Sequence, residues 1–212
     1  MKNIAIIMGG YSSEYKISLI SGNVVHQFLD KTKYNGFRIH IFKEKWVYVD
    51  ANESEFPIDK NDFSVTINGN KITFDCVFNA IHGTPGEDGL MQAYFELLNI
   101  PQTSCDYYQA ALTFNKRDLL SVLKPYGIKT ATSYYLNKGD AIHTDEIVTK
   151  VGLPCFVKPN KAGSSFGISK VKTAAELPIA IEVAYKEDNE IIIESFLDGT
   201  EVSVGVINYR GT

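Results

Sequence analysis

Three apolar segments run directly into glycine-rich loops, and this arrangement limits what the chain can fold into. Asn3–Met8 ends at Gly9-Gly10, Cys76–Ile81 leads into His82-Gly83-Thr84-Pro85-Gly86-Glu87-Asp88-Gly89, and Pro154–Lys158 leads into Pro159–Gly167. Short continuous apolar runs bounded by turn residues read as strands buried on both faces. Open α/β sheets hold their ligands in loops beyond the carboxyl ends of such strands. The chain is therefore expected to carry a small-molecule site built from loops that lie far apart in sequence.

The segments between these loops fit that frame. After Gly10, Ser12 or Ser13 is positioned to cap a helix carrying Ile17, Ile20, Val24 and Phe28 at helical spacing, and FRIHIF (37–42) returns as a strand. The opening is thus β-loop-α-β, the start of a doubly wound α/β domain. Trp46–Val49 and Lys71–Phe74 predict a meander at the sheet edge, around the turn Asn68-Gly69-Asn70. A helix with Leu90, Met91, Tyr94, Phe95 and Leu98 on one face stops at Asn99-Ile100-Pro101.

Beyond residue 107 the texture changes. Helical stretches at Tyr108–Leu112 and Asn115–Leu123 precede strands at Thr132–Leu136, Pro154–Lys158, Ile168–Lys172 and Ile191–Phe196, with helices at Asp145–Val151 and Ala174–Tyr185 between them. This pattern places a boundary near residues 103–115 and predicts an α+β unit after it. Glu201–Val206 reads as a further strand and Asn208-Tyr209-Arg210-Gly211 as a hairpin turn. A strand left without its return arm suggests a chain cut within a domain.

Composition narrows the function. The net charge is −4, with Lys and Arg scattered, which leaves no basic footprint for nucleic acid. No run approaches the length of a membrane span, and the N-terminal apolar run is too short for a signal-peptide core, so the expected address is the cytoplasm. Cys76, Cys105 and Cys155 are widely spaced, which argues against both a disulfide framework and a zinc site.

Taken alone, each loop permits a bland reading. Glu14 is an acid in the first turn of a helix, where the dipole favours it. His82 differs from His26, His40 and His143 because it leaves a buried strand and enters a loop with two acids. The loop after Lys158 lacks the P-loop pattern, yet its Gly163-Ser164-Ser165 tip offers N–H groups and hydroxyls to phosphate. Lys158 itself ends an apolar strand and must either reach water or meet an anion. Glu194–Glu201 joins two apolar segments and supplies acids suited to ribose hydroxyls.

In order, however, the segments GGYSSEYKIS, IHGTPGEDG, NKRDLL, FVKPNKAGSSFGISKV and IIIESFLDGTEVSV resemble the D-alanine–D-alanine ligase family of the ATP-grasp class along the whole chain. HGTPGEDG and KPNKAGSSFG are the specific motifs. The resemblance implies an N-terminal doubly wound (pre-ATP-grasp) α/β domain over 1–106, the first α+β subdomain of an ATP-grasp fold over 107–200, and the first strand of a second subdomain over 201–212. It implies that ATP and D-alanine are bound and that two D-alanines are joined through an acyl phosphate, for peptidoglycan precursor synthesis. By the same resemblance Glu14 meets the amino group of the first D-alanine, His82 lies near the reacting carboxylate, Ser164 joins the substrate network, and Glu87 supports it. Lys116 and Lys158 face ATP phosphates under the Ser164-Ser165 loop, Glu194 and Leu197 meet the base, and Glu201 the ribose. Family members continue for about another hundred residues, a second half-domain in size. The Mg²⁺ ligands are expected there, so the chain alone is expected to be inactive. A homodimer through the N-terminal domain is also implied.

Other readings remain. A sister ligase would use D-lactate or D-serine as its second substrate, and the chain as given would serve as a non-catalytic nucleotide- or D-alanine-binding fragment. A Rossmann oxidoreductase is disfavoured, because no G-x-G-x-x-G follows the first strand.

Overall fold

The structure is a computed structural model in which residues 1–206 are described. Eleven strands and six helices are found among them, in two sheets. In the first sheet, β1 (Lys2–Gly9) lies between β2 (Tyr34–Ile41) and β7 (Cys76–Asn79) and is parallel to both. β3 (Trp46–Val49), β4 (Glu55–Asp59), β5 (Ser64–Ile67) and β6 (Asn70–Ile72) extend it as an antiparallel meander, giving the order β6-β5-β4-β3-β2-β1-β7.

Side-chain alternation along β1 shows that helices cover both faces of this sheet. Ile4, Ile6 and Met8 pack with Leu19 and Val25 of α1 (Tyr15–Phe28). Ala5 and Ile7 share the opposite core with Met91 and Phe95 of α2 (Leu90–Leu97). The N-terminal unit is therefore doubly wound, as its opening residues predict.

The helix over 15–28 forms, but its apolar stripe faces outward. Ile20 is 66% and Phe28 78% exposed, and Ile17 and Val24 are also exposed. The buried positions of α1 are Ser18 and Gly22. Close contact with the sheet is the cause: a Cβ on Gly22 would stand 2.8 Å from Met8 Cβ, so only a small residue fits. The cap also differs from expectation. Glu14 occupies the N-cap position without a side-chain cap bond, and Ser12 Oγ accepts from the Glu14 N–H at 3.2 Å. On α2, Leu90 is 60% exposed, while Met91 and Phe95 are buried in the core and Tyr94 and Leu98 pack against it half-buried.

α3 (Tyr107–Phe114) and α4 (Lys116–Leu123) lead to the second sheet, ordered β10-β9-β11-β8 and antiparallel throughout. Its strands are β8 (Ser133–Asn137), β9 (Cys155–Pro159), β10 (Ser169–Val171) and β11 (Glu190–Ser195). α5 (Thr144–Val151) and α6 (Leu177–Ala184) bury Cys155, Val157, Ile191 and Ile193 beneath them. Lys158 and Glu194 alternate to the other face.

The strand expected over Glu201–Val206 is absent. These residues are irregular and exposed, with Val202 at 75% and Val206 at 88%. Valines at every second position favour an extended backbone, but a strand is held by its ladder, and no described segment pairs with this one. The turn expected at Asn208–Gly211 lies outside the described residues.

Candidate functional site

The three glycine-rich loops converge, and Glu14 sits at their meeting point, only 2% exposed. One carboxylate oxygen, Oε2, accepts from the Gly163 N–H at 3.3 Å, while Oε1 is buried with no hydrogen-bond partner. Two glycines make room for it. A Cβ on Gly83 would come within 2.9 Å of Oε2 and 2.5 Å of Ser12 Oγ, and Gly83 also adopts φ +71°. A Cβ on Gly163 would stand 3.0 Å from Oε1. A buried, undersupplied carboxylate is costly, and such an acceptor is suited to a ligand that brings its own donors.

Serines of the α1 segment fix the second loop to the first. Ser18, fully buried, accepts from the Gly9 N–H and donates to the Ala80 carbonyl, both at 2.8 Å, so it ties the end of β1 to the end of β7. Ser12 donates to the His82 carbonyl at 3.1 Å, and Ser21 Oγ lies 3.1 Å from His82 Nε2. Glu87 Oε2 accepts from the Gly83 N–H at 2.7 Å, bracing the loop from within. Part of the Glu87 side chain meets solvent, but its carboxyl end lies among the loop atoms. That loss of water raises its pKa, with repulsion from Glu14 and Asp88 adding to the rise. Asp88 is raised by desolvation as well, and Thr84 donates to its carboxylate.

The third loop is a tight turn. Phe166 N–H bonds the Gly163 carbonyl at 3.1 Å, and Ser164 and Ser165 take φ +47° and +61°. Both serines are exposed. Lys116, at the first position of α4, donates to the Ala162 carbonyl at 2.7 Å and the Asn160 carbonyl at 3.3 Å. Burial lowers its pKa, and the neighbouring Lys158 charge lowers it further. Lys158 Nζ is paired with Glu194 Oε2 at 2.8 Å, a diagonal contact across β9 and β11. The two lysines are therefore near one another, and the carboxylates of Glu194, Asp188 and Glu14 also act on the Lys116 charge.

These contacts gather Glu14, His82 and Glu87 in one group and Lys116, Lys158 and Glu194 in a second, joined through the 160–163 backbone, with Ser164 and Ser165 exposed at the loop tip. The cavity beside Glu14 is lined by Ser12, Ser13, Asp88, Lys161, Ala162 and Phe166, while Glu87 lines a separate one. Leu197 (66% exposed) and Glu201 (exposed) lie on the segment after β11, away from those contacts. Among the described residues, no group of three or more His, Cys, Asp or Glu side chains could hold a metal ion, so the Mg²⁺ implied by the resemblance is assigned to no residue here.

Sequence reasoning missed Asn160. Fully buried, it donates from Nδ2 to Asn115 Oδ1 (2.8 Å) and Glu190 Oε2 (3.0 Å), and its Oδ1 accepts from the Arg117 N–H at 2.8 Å. It thereby seats the start of α4, and with it Lys116, against the end of β9. The one available signal was an Asn immediately after a strand-ending Lys-Pro pair. The contact from Ser13 Oγ to Glu187 Oε2 (2.9 Å), which links the two units directly, had none.

A doubly wound unit and an antiparallel α+β unit that share a lysine-bearing cleft define an ATP-grasp type of architecture. Comparison with known proteins makes this specific. The D-ala D-ala ligase N-terminus model matches residues 3–105, and the D-ala D-ala ligase C-terminus model matches residues 122–211. The chain belongs to the D-alanine–D-alanine ligase family. It is 90% identical over 211 residues to the D-alanine–D-alanine ligase of Flavobacterium johnsoniae, and 65% identical over 210 residues to that of Christiangramia forsetii. These matches span 100% and 99% of this chain but 65% and 64% of those relatives. Among solved structures, D-alanyl-alanine synthetase A of Vibrio cholerae superposes with TM-score 0.80 at 28% identity, covering 93% of this chain and 60% of that one. The VanG D-Ala:D-Ser ligase of Enterococcus faecalis superposes with TM-score 0.76 at 32% identity, covering 93% and 63%.

Proposed function

We propose that the protein is an ATP-dependent ligase that joins two D-alanines for peptidoglycan precursor synthesis, and that this chain supplies its first-substrate site and much of its nucleotide site. The observation that carries the reading is Glu14: a buried carboxylate with an unpartnered oxygen, enclosed by two glycines at the meeting point of all three loops. Such a group is matched by the ammonium of an amino acid. The wider protein, with its second substrate and metal, is part of the proposal, because the chain spans about two-thirds of the length of its relatives.

Two free amino acids condense only if a carboxylate is first activated, here by the γ-phosphoryl group of ATP, as an acyl phosphate that the second amine attacks. In this account Glu14 orients the first D-alanine through its ammonium, and His82 donates to its carboxylate. Lys116 and Lys158 neutralise phosphate charge, which is the main task in phosphoryl transfer. The 162–166 loop, carrying Ser164 and Ser165, covers the phosphates and excludes water, so the acyl phosphate meets an amine instead of hydrolysing. Glu87 braces the His82 loop. Glu194 and Leu197 take the base and Glu201 the ribose, the latter two after the exposed segment folds over the nucleotide. Residues 1–106 form the substrate domain and 107–200 the nucleotide subdomain. The outward stripe Ile17, Ile20, Val24 and Phe28 on α1 is the face through which a second copy docks.

Cytoplasmic residence fits this reading, and no helix among the described residues is long and apolar enough to cross a membrane. The similarity to a solved D-Ala:D-Ser ligase keeps D-serine as the alternative second substrate. Turnover of the full-length protein with D-alanine alone, compared with D-alanine plus D-serine or D-lactate, decides between them.

A further inference from the structure

Ser12, Ser18 and Ser21 come from one ten-residue stretch, and their hydroxyls reach three points on Ala80–His82. Ser18 holds the Ala80 carbonyl, Ser12 the His82 carbonyl, and Ser21 the imidazole, at 3.1 Å from Nε2. The backbone beneath His82 is thus fixed before its ring meets any ligand. Among the described residues, Ser21 is the ring's hydrogen-bond partner. Ser21 lies one turn beyond the buried Ser18 clamp, so its position is set by the seating of α1 on β1.

We propose that Ser21 is a positioning residue for His82: its hydroxyl donates to Nε2 and so keeps the proton of the neutral ring on Nδ1. A hydroxyl can give or take a hydrogen bond, so the contact is compatible with two tautomers of the neutral imidazole. The chemistry of the cleft separates them. If Nε2 carried the proton and donated to Ser21, Nδ1 would present a lone pair, which repels a carboxylate or acyl phosphate oxygen. With Ser21 as donor, Nδ1–H remains available to such an oxygen without the ring having to gain a second proton. This inference rests on the reading of His82 as a donor to the reacting carboxylate.

The test uses the full-length protein with histidine ¹⁵N-labelled at both ring nitrogens, and a His82→Asn variant to assign the resonances. The wild type is expected to show the Nδ1–H tautomer, Ser21→Ala to lose that preference, and Ser21→Thr, which keeps the hydroxyl, to retain it. In steady-state turnover Ser21→Ala should lower kcat by roughly three- to tenfold, the range set by loss of one ordinary hydrogen bond, with KM for ATP unchanged. Ser21→Thr should restore it. An Nε2–H tautomer in the wild type would overturn the proposal, as would Ser21→Ala with unaltered tautomer and unaltered kcat. If the wild type shows no D-alanine-dependent turnover, the ligase reading fails, and the NMR comparison still decides the role of Ser21.

Discussion

Glu14→Gln changes one heavy atom and removes one charge, so it isolates what the buried carboxylate contributes. In the unliganded protein the carboxylate accepts one long bond from Gly163 N–H and leaves Oε1 unpartnered. Leaving a buried acceptor unsatisfied costs about 1–3 kcal/mol. Its place at the start of α1 returns about 0.3–1 kcal/mol through the helix dipole. The neutral amide gives up that dipole contribution and sheds the burial of charge, but its NH2 takes the place of Oε1 as a buried polar group, so the variant should unfold within about 1 kcal/mol of the wild type. For a protein of this size that is a change in Tm of no more than roughly 2–4 °C, readable by calorimetry without ligands. Binding is affected more. Loss of a charge-assisted bond to an ammonium, about 1.5–3 kcal/mol, should raise the KM for the first D-alanine by roughly ten- to a hundredfold, with nucleotide affinity unchanged. A variant destabilised by more than about 3 kcal/mol, or one with an unchanged KM for D-alanine, would refute the reasoning that Glu14 is held unsatisfied for a cationic ligand.

Asn160→Ala should cost about 1–3 kcal/mol in denaturant unfolding, since it removes the partner of the half-buried Arg117 N–H and of Asn115 and Glu190, and should raise the KM for ATP by unseating Lys116. Glu87 has a folded-state pKa above its ordinary 4.5, so the folded protein binds its proton more tightly than the unfolded chain does. Stability should therefore fall as pH rises from about 4.5 through the raised value, and Glu87→Gln should flatten that decline in a pH series of unfolding curves. Lys116, by contrast, is lowered from 10.5, and phosphate would restore its proton. Nucleotide binding on the alkaline side should then take up protons, measured by calorimetry in buffers of differing ionisation enthalpy, and Lys116→Met should abolish the uptake. Ile20→Asp on the outward face of α1 should leave a monomer in sedimentation with little loss of stability, because Ile20 is 66% exposed. An unchanged association state would remove that face as the dimer contact.

β1 was legible because it is buried along most of its length and reads as an unbroken apolar run ending in glycine, and β7, although a half-buried edge strand, opens a mostly apolar segment that leads through Ile81 and His82 to Gly83. β4 was not, since Pro57 argues against a strand interior, yet the residue sits between Val47 and the solvent-facing side of the meander. The stripe on α1 misled for a physical reason. Helical periodicity identifies an apolar face but not what it packs on, and here Ser18 and Gly22 make the close contact with the sheet while the larger side chains point outward. Val202, Val204 and Val206 show the same limit for strands, where a favourable pattern without a neighbouring ladder forms nothing regular.

For the cleft, the glycines and the strand-ending lysine could be read because their positions are hard to explain otherwise. Ser18 and Ser21 could not, as serine is equally at home on an exposed helix face, and Ser12 offers itself in the sequence only as a helix cap. Only the fold reveals that Ser18 is fully buried.

The central claim is that these loops serve D-alanine activation by ATP, and phosphate release from Mg·ATP by the full-length protein tests it most directly. The account predicts release that depends on D-alanine, fails with L-alanine, and is lost in Lys158→Met while the variant unfolds at the wild-type temperature. Release that ignores D-alanine, or that persists undiminished in Lys158→Met, would contradict it.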